Sequence, residues 1–421
     1  MRRLISLFLI CLVSVSLFVG CGNDSSNVTN ISILNSKPEM EEALNDLIEE
    51  FTKQNNDINI KVVKYSQSGV YKDKLDSMQS IDNAPTMALI DPSNINLYAD
   101  RCLNLSEENW VSNIVGGVDE IAKNKDGQVV AFPFATEGIG LIYNKKVLSE
   151  AGVDVNSINT ISSLEESFKK IEASGKKGIV VTNEEWSLGD HFSATFYEVD
   201  RKKFNKSAIE YLNSISNEDL RSNATLNGLL DTFDLMKKYN IYAENPLAPS
   251  YDKCAEIFGK GEVVFWYMGN WASQSILNNS LGNNEFGFIP VPISNNANDY
   301  GNNEIVLGVT KYIVIDSENS SEEQKEAAKR FLDFIVYSDD GEKFLVEDAG
   351  VIPAFDNIEV TSNDPLIKDI INYRDQNKTM NLMNSYLPSD YSSNIGSAFK
   401  KYLNNEMSRE ELISTIQTYW S

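Results

Sequence analysis

The chain of 421 residues is predicted to be an α/β protein built in two lobes. Three observations point there. Strand-like apolar runs alternate with helix-period segments through the first hundred residues, the pattern of parallel βαβ units. The same alternation restarts after Leu148. Finally, two apolar runs, one around Glu137 and one around Gly308, carry interruptions that a buried strand would not tolerate unless its backbone changed course there. Each is expected to pass from one lobe to the other. The length agrees, being too great for one ordinary core and suited to two or three folding units.

Arg2 and Arg3 precede an uncharged apolar run, Leu4 to Val19, too short and too abruptly ended for a membrane span; it is expected to be a signal peptide. Its end, LFVGC at Leu17 to Cys21, resembles the lipobox of bacterial lipoproteins, which implies a signal over 1–20 and lipidation of Cys21 as the first mature residue. Residues 21–30 are small and polar, the composition of a flexible tether.

A short strand follows at Ile31 to Leu34, and Ser36, Lys37 and Pro38 form a helix entry with proline in the first turn. Met40, Ala43, Leu44, Leu47, Ile48 and Phe51 then keep helical spacing. Ile58, Ile60 and Val62 alternate in a second strand ending at Tyr65. After a helix around Tyr71 to Met78, Thr86 to Ile90 form a third, closed by Asp91 and Pro92. Ligands of parallel sheets gather beyond the carboxyl ends of the strands, which puts Ser36, Tyr65, Asp91 and Ser93 on the active edge.

The stretch DGQVVAFPFATEGIGLIYNKKVL, Asp126 to Leu148, holds the first crossover, with Glu137 in the gap between its apolar halves. Beyond it come a helix marked by Leu164, Phe168 and Ile171, a strand at Gly178 to Thr182, and a polar loop at Glu184 to His191 carrying Trp186. A long helical region spans Ala208 to Tyr239, and a strand from Val263 to Met268 stops at Gly269 and Asn270. Asn278 to Asn303 is mostly loop around a short strand at Phe286 to Pro290. The second crossover, Ile305 to Ile315, contains Gly308, where a bend is expected. A helix with Ala328, Phe331, Leu332 and Ile335 follows, then VIPAF at Val351, and Ser408 to Glu411 has the form of a capping box before the last helix.

A formal charge of −24 repels phosphate and argues against a nucleic-acid partner. The 42% hydrophobic and 23% charged fractions are those of a soluble globular protein. Apart from Cys11 and Cys21, the cysteines are Cys102 and Cys254, expected as two semi-buried thiols, and neither has zinc-site spacing. No phosphate loop or nucleophile elbow is present. His191, the only histidine, is expected to be a surface loop residue.

Four stretches carry a family resemblance: AFPFATEGIGLIYNKKVL, FGKGEVVFWYMGNWA, GFIPVPI, and the block from Ile305 to Phe355 with its glycine-bearing strand, EAAKRFLDFIVYS helix and VIPA end. In these the chain resembles the extracellular solute-binding proteins of bacterial ABC importers, in particular the sugar-binding group that includes maltose-binding protein. The resemblance implies a periplasmic-binding-protein-like α/β fold, with two lobes joined by hinge crossover strands around a ligand cleft. The first lobe would be 31–136 plus 310–347 and the second 137–309 plus 348–421. It further implies a monomeric binding lipoprotein on the extracytoplasmic face of the cell membrane, without cofactor or catalysis, that closes on a carbohydrate and delivers it to a membrane permease.

Sugar sites combine polar side chains for the hydroxyl rim with aromatic platforms for the C–H faces. Glu137 aligns with a family glutamate that contacts ligand hydroxyls, Trp186 with an aromatic platform, and Trp271 with the Gly-x-Trp ending of the family. Asp91, Ser93, Tyr65 and Asn270 stand at strand ends and are further candidates. One of Tyr386 and Tyr391, which flank Pro388, is expected in the cleft, while Trp266 is expected in the core. The same fold with another solute, such as a polyamine, an oligopeptide or a metal chelate, is an alternative, as is a secreted carbohydrate-active enzyme with paired carboxylates.

Overall fold

The computed structural model describes residues 28–65, 71–80, 84–116, 118 and 120–421. The expected signal peptide and the lipidated Cys21 lie outside these residues, as does most of the tether. Within them the chain forms one twisted sheet of nine strands. These are β1 (Thr29–Asn35), β2 (Ile58–Lys64), β3 (Met87–Ile90), β4 (Phe132–Asn144), β5 (Lys177–Val180), β6 (Val263–Gly269), β7 (Phe286–Ile289), β8 (Ile305–Ile315) and β9 (Thr379–Asn381). The order is β2-β1-β3-β8-β4-β6-β5, with β7 added to β4 and β9 to β8.

The first lobe is the expected βαβ arrangement, β1 lying parallel to both β2 and β3. Pro38 opens a 3-10 turn, and helix Glu41–Gln54 follows it, burying Leu44, Leu47, Ile48 and Phe51 on one face. That spacing of three and four residues is what one buried helix face requires. Phe51 meets Phe331 and Phe334 edge-on, tying this helix to helix Glu322–Tyr337 far along the chain.

Strands β4 and β8 run antiparallel through both lobes, paired from Phe132↔Ile313 to Ile139↔Val306, with register shifts around Ala135. The apolar cores change along them. Phe132, Phe134 and Ala135 of β4 and Val309, Tyr312 and Ile313 of β8 belong to the first core, with Trp110 and Leu89. Ile139 and Leu141 of β4 and Val306 of β8 belong to the second, with Phe168, Phe192 and Phe399. A third cluster, with Cys254, Trp266, Phe286 and Ile370, covers the other face of the second lobe. The seam is therefore Thr136 to Gly138 against Leu307 to Val309. Val351, Ala354, Phe355 and Ile358 pack in the first core, although the family resemblance assigns that stretch to the second lobe.

Gly308 serves this seam by its size. A Cβ there would stand 2.5 Å from the Cβ of Leu382, and one on Gly138 would stand 2.6 Å from the side chain of Ile370. Neither glycine adopts a left-handed backbone, so the expected bend at Gly308 is in fact a close approach of packed layers. Two further expectations change. The polar loop Glu184 to His191 is a π-helical turn, Trp186–Ser193, and the long helical region divides into Ala208–Ser214 and Ala224–Lys238.

Candidate functional site

The lobes meet at the seam of β4 and β8, where side chains from both gather. From the first lobe, Lys37 stands just beyond β1, Asp91 and Ser93 beyond β3, and Lys311 on β8 donates to Asp91. Asp91 precedes the 3-10 turn Pro92–Asn94, which touches the turn Met383–Tyr386 of the second lobe. From the second lobe come Trp186 and His191 of the π-helical turn, and Trp271 of the 3-10 turn after β6.

The three rings form a cluster. Centroids lie 5.4 Å apart for Trp186 and His191, 5.4 Å for His191 and Trp271, and 5.9 Å for the two tryptophans, with ring planes inclined by 60 to 67°. Both tryptophans are half-buried. The Lys37 ammonium stands 5.7 Å from the Trp271 ring, a contact that crosses from one lobe to the other.

Glu137, expected to face the ligand, is sealed in the seam with 0% exposure. One of its carboxylate oxygens takes a 2.8 Å bond from Lys37 Nζ, and the other accepts from Thr310. Lys37 also lies 3.2 Å from Glu39. Burial disfavours the Lys37 charge, but Glu137 and Glu39 outweigh it and hold the ammonium above its ordinary range.

Asn270 is likewise enclosed. Its Oδ1 accepts from Gly138 N at 2.8 Å and its Nδ2 donates to Gly350 O at 3.0 Å, so both ends of the amide pin backbone around the crossover. Tyr391 is in the core, its hydroxyl 2.9 Å from Ser193 Oγ and 2.8 Å from Tyr197 Oη. Tyr386 is the one at the lobe boundary, half-buried, with its phenol raised chiefly by burial, against Arg201, and then by Glu198 and Glu120. Tyr65 lies just beyond β2, partly buried against the first core. Trp266 is fully buried, as expected, and donates to Thr182 at 2.6 Å.

Four participants escaped the sequence reading. Lys37 and Lys311 are a lysine beside Ser36 and a lysine inside a crossover strand, and the strand-end logic that selected Ser36 applies equally to Lys37. Asp190 approaches Asp91 across the cleft; burial and that second carboxylate push it up to about 8, against the Ser392 hydroxyl and Lys311. Asp190 keeps part of its surface open. Tyr251, at the start of helix Tyr251–Gly259, has an enclosed hydroxyl without a hydrogen-bond partner among the described residues, as does Ser36. Its phenol is raised by burial, then by Glu39 and Glu137.

His191 is buried, at 8% exposure, and is not the surface residue expected. Burial, together with Lys311 and Lys37, outweighs the pull of Asp91 and drives its imidazole down to about 3. Among the described residues no group of three or more His, Cys, Asp or Glu is placed to hold a metal, and Cys102 and Cys254 are free thiols, Cys254 fully buried. No described helix is long and apolar enough to cross a membrane.

Two α/β lobes sharing crossover strands, with an aromatic cluster and charged side chains facing across the seam, define a cleft-type solute-binding protein. Residues 46–369 match the bacterial extracellular solute-binding protein family, and the chain belongs to it. Among solved structures, the solute-binding protein RafE in complex with raffinose superposes with a TM-score of 0.76 at 18% identity, covering 93% of this chain and 99% of that one. The apo form of RafE from Streptococcus pneumoniae gives 0.67 at 17% identity, covering 95% and 99%. A sugar transporter of Bacillus licheniformis in complex with stachyose gives 0.73 at 19% identity, covering 93% and 99%. An uncharacterised ABC transporter extracellular-binding protein of Pyrococcus horikoshii is 26% identical over 155 residues, 36% of this chain and 33% of that protein. That match spans about a third of the relative's length.

Proposed function

We propose that this chain is the substrate-binding component of an ABC importer, which captures a mono- or oligosaccharide between its lobes and hands it to a membrane permease. The observation that carries this reading is the ring cluster of Trp186, His191 and Trp271 facing Lys37, Asp91 and Lys311 across the seam. Stacking rings on one side and charged hydrogen-bonding groups on the other are what the two surfaces of a sugar require. Trp186 and Trp271 are the platforms, and Asp91, Ser93, Tyr65 and Tyr386 line the rim. Glu137 and Asn270 act through the hinge.

The protein works by closure, without chemistry: contacts from both lobes favour the closed form over the open one. The higher TM-score against the raffinose complex of RafE than against its apo form supports a closed arrangement of this chain. In this reading the lobes divide at the seam, Cys21 carries the lipid anchor at the extracytoplasmic face, and the chain acts as a monomer.

One observation favours a second reading. Asp190 and Asp91 approach each other beside aromatic rings, a setting that also suits a polyamine. A thermal-shift series with raffinose, stachyose, mannobiose, spermidine and amino acids separates the two. A solute at 100 times its dissociation constant adds about 2.7 kcal/mol of stability. Stabilisation by a saccharide is the expected result, and stabilisation by spermidine alone would overturn the sugar reading.

A further inference from the structure

Trp186 and His191, in the turn Trp186–Ser193, are five residues apart, a spacing that points side chains to different faces of a helix with 3.6 residues per turn. The wider π-helical turn, closed by bonds between residues five apart, brings such a pair together. It sets the imidazole 5.4 Å from Trp186 and 5.4 Å from Trp271. The two tryptophan centroids are themselves 5.9 Å apart, so the imidazole is the third corner of a triangle of rings with the two proposed platforms.

Its polar atoms are unusual in that position. The residue is more than nine-tenths buried, yet neither ring nitrogen has a hydrogen-bond partner among the described residues. Neither nitrogen is among the polar atoms sealed off without a partner, so the remaining exposure of the residue includes them. Buried polar groups in folded proteins are normally hydrogen-bonded, and one left without a protein partner inside a cleft calls for a ligand.

We propose that His191 is a contact of the bound solute and sets the specificity of the cleft, presenting one hydrogen-bond donor and one acceptor beside two stacking rings. This rests on the reading of the cleft as the solute site. Every charged group near the ring is accounted for in the uncharged form. Lys37 beyond β1 and Lys311 on β8 oppose an imidazolium, Asp91 beyond β3 favours one, and burial decides against it. Asp190, the neighbour in sequence, is itself pushed toward its neutral acid. A neutral imidazole matches a hydroxyl, which both donates and accepts, better than it matches an ammonium. The solute class it selects is a polyhydroxy compound, with one hydroxyl edge-on to the ring and the C–H faces on Trp186 and Trp271.

Because His191 is the only histidine, its Cε1 ring proton gives a single NMR signal in the full chain, purified in detergent without a histidine tag. The expected result is a signal that does not titrate from roughly pH 5.5 to 8, where a free imidazole has its midpoint, and that moves when raffinose, stachyose or mannobiose binds. His191→Phe, which keeps the ring volume, should weaken that saccharide by at least about tenfold, and His191→Gln should recover part of the loss. A midpoint near that of free imidazole would overturn the proposal. A saccharide that binds wild type and His191→Phe equally, leaving the signal unmoved, would overturn it while the sugar reading stands. If spermidine alone binds and moves the signal, the sugar reading falls and the solute contact of His191 stands.

Discussion

Glu137 and His191 are both enclosed titratable groups at the lobe boundary, and their surroundings differ in kind. The carboxylate of Glu137 is saturated by Lys37, just beyond β1, and Thr310, on β8. The imidazole of His191 has aromatic rings on two sides and no hydrogen-bond partner among the described residues. A buried charge with every oxygen engaged holds structure together, because removing it leaves its partner desolvated and unpaired. A buried polar group with its atoms open to a gap is available to a ligand. Asn270, pinned at both ends of its amide, belongs with Glu137 on the structural side of this contrast.

The largest test of this contrast is Glu137→Ala. It leaves the buried Lys37 ammonium with only Glu39 nearby, and breaking a buried pair in this way costs about 3–5 kcal/mol. The urea midpoint should fall accordingly. Unchanged stability with lost solute affinity would instead make Glu137 the ligand contact that the sequence suggested.

A smaller effect sharpens the other side. The folded Asp190 carboxyl titrates at about 8, above its value in an unfolded chain, so between roughly pH 4 and 8 the folded state keeps a proton that the unfolded state has released. Its contribution to stability is fully present below that window and is lost as pH rises through it. Asp190→Asn should remove this decline, so that urea midpoints of wild type and variant diverge toward pH 8. Parallel pH profiles would mean that Asp190 does not sit in the closed, acidic surroundings described.

Much of the fold was legible because strands and helices alternate with clear periods, and because both crossovers carry an interruption. Ile305 to Ile315 falls where the strand lies, and the capping box at Ser408 and Glu411 forms with both reciprocal bonds. Asp91 and Ser93 were candidates because they stand at a strand end, whereas Trp186 and Trp271 were candidates through the family resemblance. Glu137 was located correctly but given the wrong neighbour, since no local pattern announces that Lys37, a hundred residues earlier, would reach it. His191 was missed because a π-helical turn has no recognisable sequence period, and Glu184 to His191 therefore looked like a loop. Tyr391 and Tyr386 are equivalent by sequence. Only the packing of Tyr391 against Tyr197, Tyr419 and Trp420 assigns it to the core.

The central claim is that solute binds on the second-lobe rings and is enclosed by a hinge that touches it little. Calorimetric titration of wild type and Trp271→Ala with the saccharide found in the thermal-shift series tests this directly. Trp271 is half-buried, so its removal should leave the unliganded fold intact while weakening binding by about 2 kcal/mol, roughly thirtyfold. Equal affinity in the two proteins would take Trp271 out of the binding site and contradict solute capture on the second-lobe rings.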